Sequence, residues 1–198
     1  MKSFLMGLIL TGSVLAQCDT CIVYLGTIDS TILTDVKYAT TNNFTGKVLY
    51  PTSKVYLRKV VADSISKVQK YLQSNYNMSI KIFDGYRPLS VQWKLWAIVP
   101  DDRYVADPRK GSRHNRGAAV DLTIIDSLGN ELDMGTQYDD FTEKAHRDYK
   151  NIPDHVLKNR RILDEAMIKY GFEPLNTEWW HFDFNGWKKF SVLDISIN

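Results

Sequence analysis

The sequence predicts an α+β fold, a single domain in which a small antiparallel sheet is flanked by helices. Helical and strand-like segments are interspersed without regular βαβ alternation. Two segments repeat apolar residues at spacings of three and four, the helix period. A third, Ala118 to Ile125, is apolar and β-branched, the composition of a central strand. The chain has 198 residues, with 44% hydrophobic and 24% charged side chains, which suits one globular domain and excludes a disordered one. A net charge of +2 is too balanced for binding to nucleic acid or a membrane surface through charge.

Taken in order, Met1-Lys2, the apolar run Phe4 to Val14 and the small-residue ending Val14-Leu15-Ala16 read as a secretory signal peptide over residues 1–16. The run is shorter than the roughly 20 residues that span a bilayer, so no stable membrane insertion is expected. The mature domain, 17–198, then starts near Gln17 and is secreted or periplasmic. Cys18 and Cys21 follow as a local disulfide or as two inert thiols; no strand precedes them, as a redox motif would need.

Leu57, Val60, Val61, Ser64, Ile65, Val68, Tyr71 and Leu72 predict one amphipathic helix, ended by Asn75-Tyr76-Asn77. Ile80 to Phe83 is a short strand, and Asp84-Gly85 a turn. A second helix follows Arg87-Pro88, from Ser90 to Val99. Pro100 to Arg113 is a long polar loop, of a length that points to function. After the central strand, Ser127 to Asn130 turns the chain. Pro153 to Tyr170 is a third helix, with proline in its first turn and Gly171 at its end. Glu178 to Phe184 is the final strand.

Two runs carry chemistry. In Ser112-Arg113-His114-Asn115-Arg116-Gly117-Ala118-Ala119-Val120-Asp121, a histidine ends a polar loop and an aspartate sits inside an apolar strand. A carboxylate there is expensive unless it is paired or binds a cation. In Glu178-Trp179-Trp180-His181-Phe182-Asp183-Phe184, two polar side chains stand among four aromatics. Singly, a histidine in an aromatic strand, as His181 is, also reads as a satisfied core residue and Asp121 as a strand-end turn residue. Together His114, Asp121 and His181 form a three-ligand set for zinc with one position open, and Glu178 is a spare carboxylate placed to act as a base. Residues three apart on a regular strand face opposite sides, so Glu178 and His181 can share a site only if the segment at Trp179-Trp180 bulges or begins as a turn. The two tryptophans would then wall the pocket. His146 and His155 read as surface or supporting residues.

These runs resemble the zinc D-Ala-D-Ala peptidases, a superfamily that also holds lysostaphin-type enzymes and the hedgehog signalling domain. The resemblance narrows to the VanX-type D-alanyl-D-alanine dipeptidases through Asp35 to Thr40, Asn43 to Gly46, Asp84 to Pro88, Asp133 to Thr136 with Tyr138-Asp139, and Glu178 to Phe182. It spans about residues 28–190. It implies a hedgehog/D-Ala-D-Ala peptidase-like fold, one zinc per chain on His114, Asp121 and His181, Glu178 as general base and Arg87 at the oxyanion. It also implies Asp139 and Ser112 on the two ends of a D-Ala-D-Ala dipeptide. Asn115 stands where serine is frequent, and Tyr138 where phenylalanine is common. Two alternatives stay open: a carboxypeptidase or cell-wall endopeptidase of the same superfamily, and a non-catalytic zinc-bearing binding module. The joint presence of Glu178 and Arg87 argues against the module.

Overall fold

The structure is a computed structural model and describes residues 18–197, so the signal peptide expected at 1–16 lies outside the described residues. In chain order the elements are β1 (Ile22–Tyr24), α1 (Leu25–Ile28), β2 (Leu33–Thr34), β3 (Tyr56–Arg58), α2 (Lys59–Tyr76), β4 (Ser79–Asp84), α3 (Leu89–Ile98), β5 (Ala119–Ile125), α4 (Asp154–Lys169), β6 (Phe172–Pro174) and β7 (His181–Phe184). The α+β class stands. β1 and β3 form an antiparallel pair, and a five-stranded sheet runs β2-β4-β5-β7-β6. Its pairs are antiparallel except at one edge, where β2 runs parallel to β4. A parallel neighbour needs a crossover, and β3 with α2 supplies it between these two strands.

Leu57 corrects the helical periodicity. It lies in β3 opposite Val23, and the helix starts two residues later at Lys59. Pairing with β1 overrides a spacing that fitted a helix as well. Val61, Ala62, Ile65, Val68 and Leu72 give α2 a buried stripe, and Asn77 ends it in the left-handed region at φ 54°. Pro153 precedes α4 and Gly171 follows it. Val156, Leu163, Ala166 and Met167 are its buried face. The helices α2 and α4 pack on each other, on β4 and on β6.

Alternation along β5 separates two jobs. Val120, Leu122 and Ile124 belong to the apolar core with Ile65, Val68, Leu163 and Met167. Asp121 and Thr123, on the other face, line cavities. β7 is shorter than the sequence suggested. It begins at His181, and residues 178–180 form a turn in which the His181 N–H points to the Glu178 carbonyl. That turn is pinned on both sides. The Trp179 N–H donates to the Ala145 carbonyl, and the Trp180 carbonyl accepts from the Leu122 N–H. Among the described residues, no helix is long and apolar enough to cross a membrane. Cys18 and Cys21 are joined by a disulfide.

Candidate active site

Gly117 sets the approach of the two key segments. It stands between the helical turn His114–Arg116 and β5, at φ 65°. A Cβ at this position would come within 2.6 Å of Ile22 Cδ1 and 3.2 Å of the Arg58 nitrogen. Glycine is therefore required both by the left-handed backbone and by the close packing. The turn delivers His114 to the face of β5 that carries Asp121. Asp121 is paired in register with His181 on β7.

The ligand-capable atoms of His114, Asp121 and His181 all lie within 4.8 Å of one another, and all three residues are buried. Their hydrogen bonds test whether a cation fits. His114 Nδ1 lies 2.8 Å from the Gly85 carbonyl, which can only accept, so this nitrogen carries the proton and Nε2 turns a lone pair inward. His181 Nε2 lies 3.0 Å from Asp183 Oδ1, so Nδ1 is the inward atom. Nδ1 stands 3.2 Å from His114 Nε2 and 2.9 Å from Asp121 Oδ1. Three lone-pair atoms with outer partners already assigned form a donor set for a metal cation, and N, N, O chemistry suits zinc. Burial disfavours the Asp121 charge, but the two imidazoles outweigh it and hold the carboxyl well below its usual range. Burial likewise depresses His181, and Asp121 with Asp183 more than reverses this, to about 10. Without a cation the site therefore holds a second proton on His181 Nδ1, against Asp121, and a metal would take that proton's place and free the inward lone pair.

Glu178 Oε2 lies 3.8 Å from His181 Nδ1, brought there by the turn before β7. Burial raises its pKa, with Asp121 adding to the rise and His181 opposing it. Arg87 is buried and oriented from three sides. Its Nε and one terminal nitrogen donate to Asp84 Oδ2 at 3.1 and 2.5 Å, and the other terminal nitrogen donates to Gln92 Oε1 at 3.0 Å. Asp84, fully buried, also accepts from Tyr50 Oη at 2.8 Å. Of the five N–H donors a guanidinium carries, these bonds use three, and two remain for a ligand.

Asp139 has a left-handed backbone at φ 59° and accepts from Tyr38 Oη at 3.1 Å. Burial, then the charges of Asp121 and Glu178, push its carboxyl well above the usual range. Ser112 Oγ accepts the Asn115 N–H at 3.1 Å, which leaves the hydroxyl proton free to donate. Arg160 of α4 donates to the carbonyls of Met134, Lys144 and His146 and so holds the loop that carries Asp139.

All seven residues singled out in the sequence line one cavity of about 290 Å³. The long polar loop contributes to the same wall through Asp102 to Ala106, and it is tied down where Gln92 Nε2 donates to the Ala106 carbonyl. One expectation fails. Trp180 lines this cavity, but Trp179 lines a neighbouring one, where its indole donates to Thr136 Oγ1. Adjacent residues in an extended turn point to different sides, so only one tryptophan can serve the site. Sequence reasoning missed Asp84 as the holder of Arg87 and Asp183 as the partner of His181. Asp183 had a readable signal, since it is two residues on and shares the face of His181.

The family described as D-ala-D-ala dipeptidase matches residues 20–190. A D-alanyl-D-alanine dipeptidase of Escherichia coli is 38% identical over 149 residues, covering 75% of this chain and 77% of that protein. One of Enterococcus faecalis is 31% identical over 169 residues, covering 75% and 83%. A solved structure of the vancomycin resistance D,D-pentapeptidase VanY in complex with Zn(II) is similar at a TM-score of 0.44 and 16% identity, covering 70% of this chain and 78% of that one.

Proposed function

The chain belongs to the D-Ala-D-Ala dipeptidase family, and we propose that it hydrolyses free D-alanyl-D-alanine with one zinc ion held by His114, Asp121 and His181. The observation that carries this reading is the convergence of three inward lone-pair atoms beside a spare carboxylate and a held guanidinium in one cavity. When bound, zinc supplies a Lewis acid for the scissile carbonyl and for the attacking water.

Glu178 takes the proton of that water at its carboxylate and returns it to the leaving amine. A carboxyl raised by burial suits both transfers. Arg87 directs its two unused N–H groups at the developing oxyanion, and its bonds to Asp84 and Gln92 fix them before the reaction starts. Asp139 receives the substrate ammonium, and the Ser112 hydroxyl donates to the substrate carboxylate. The cavity, about 290 Å³, falls just under the roughly 300–1,000 Å³ seen for ligand sites and suits a substrate as small as a dipeptide.

A second reading is cleavage of longer D-Ala-D-Ala-terminated peptides. It is favoured by a neighbouring cavity of about 360 Å³ that shares Glu178, Thr177 and Phe141 with the first. Turnover of D-Ala-D-Ala against its N-acetylated form separates the two. The dipeptidase reading expects the acetylated compound to be a poor substrate, and equal rates replace it with the second reading. The signal peptide at 1–16 and export of the mature chain are part of the proposal. N-terminal sequencing of exported protein tests them, with Gln17 as the expected first residue. The disulfide next to that point suits an oxidising compartment.

A further inference from the structure

We propose that the Tyr138 hydroxyl is a positioning group for the metal ligand Asp121, presenting one carboxylate oxygen to the cation and tying the substrate loop to the metal centre. The proposal rests on the reading that His114, Asp121 and His181 hold zinc. Tyr138 Oη donates to Asp121 Oδ2 at 2.9 Å, while Asp121 Oδ1 faces His181 Nδ1 at 2.9 Å and His114 Nε2 at 3.5 Å. The carboxylate is thus divided, one oxygen committed to a phenol and the other to the metal position.

The hydroxyl is not needed to seat the ring. Tyr138 packs against Phe83, Trp180 and Tyr38 with ring centroids 5.1, 5.4 and 6.4 Å apart, contacts that phenylalanine would make equally well. The Tyr138 hydroxyl donates to a metal ligand, and it also lies within reach of the Tyr38 hydroxyl. Asp139, the next residue, is placed to hold the substrate ammonium. A bond from Tyr138 to Asp121 therefore fixes the distance between the amine-binding carboxylate and the cation. Without the hydroxyl, Asp121 Oδ2 is a buried acceptor with no donor, and the carboxylate is free to rotate about its last bond.

The test is zinc affinity, by competition with a chromophoric chelator, in the parent chain, Tyr138→Phe and Tyr38→Phe. Tyr38→Phe removes a hydroxyl from the same aromatic cluster, but one that donates to Asp139. Tyr138→Phe is expected to weaken zinc binding about tenfold and Tyr38→Phe by less than about twofold, the scale of outer-partner losses at metal sites. Both variants are expected to fold, with the metal-free circular dichroism spectrum of the parent. Parent-level affinity in Tyr138→Phe overturns the proposal. So does an equal loss in both variants, or a changed metal-free spectrum in Tyr138→Phe, since either would mean general loosening. A parent chain that binds no zinc overturns instead the reading of the metal site.

Discussion

His181 Nε2 donates to Asp183 Oδ1 at 3.0 Å, and the two residues share one face of β7. The bond sets which nitrogen of His181 looks into the cavity, because the proton held by Asp183 leaves Nδ1 as the lone-pair atom. Arg113 backs the carboxylate from outside, with its Nε 3.3 Å from Asp183 Oδ2 and its guanidinium stacked 4.7 Å above the Trp187 ring. Asp183→Ala should therefore lower zinc affinity about 10–100-fold while the fold persists. Chelator competition checks the affinity and circular dichroism the fold. Unchanged affinity would show that His181 needs no such support.

Glu178→Gln tests the base. It keeps size and polarity but cannot accept a proton, so turnover should fall at least about 100-fold with zinc content preserved. Metal analysis and steady-state kinetics on one preparation decide it. If the variant loses zinc and recovers its rate when zinc is resupplied, Glu178 is a ligand and not the base.

Asp84 and Arg87 should fail in different ways. Arg87→Ala removes the oxyanion partner and should lower kcat about 100-fold or more. Asp84→Ala leaves Arg87 charged and buried without its carboxylate, and should destabilise the fold by about 3–5 kcal/mol. Kinetics and urea denaturation of both variants separate them. Equal stability of Asp84→Ala and parent would mean the pair is dispensable.

The pH dependence of binding should follow Asp139. Burial and the nearby charges of Asp121 and Glu178 raise its pKa above the carboxylate range. Below that raised value the group is neutral and offers no charge to an ammonium. Substrate affinity should therefore weaken as pH falls, beginning at a pH above the usual carboxylate value of about 3.9. In Asp139→Asn this limb should disappear, with weaker binding at every pH. A KM profile of parent and variant reads both.

The parts of the fold fixed by local period were legible. The stripe of α2, the proline and glycine that bound α4, and the branched run of β5 each announce one element. Elements of two or three residues were not. β2, β3 and β6 exist because a neighbouring strand supplies their hydrogen bonds, and no local pattern records that. The site residues were legible where a polar group stands in an apolar run, as Asp121 and His181 do, because such a group demands a partner. The partners themselves were harder to see. Asp84 lies three residues from Arg87 across a turn, and only the folded turn brings the two together. The direction of Trp179 depends on a bond to the Ala145 carbonyl, which no spacing in the sequence foretells.

The central claim is that His114, Asp121 and His181 hold the zinc that makes this chain a dipeptidase. The most direct measurement is D-Ala-D-Ala turnover by purified protein stripped with a chelator and then titrated with zinc. The account predicts no turnover after stripping and full recovery at one zinc per chain, with no recovery in His181→Ala. Turnover that survives stripping, or recovery by His181→Ala at the same stoichiometry, would contradict it.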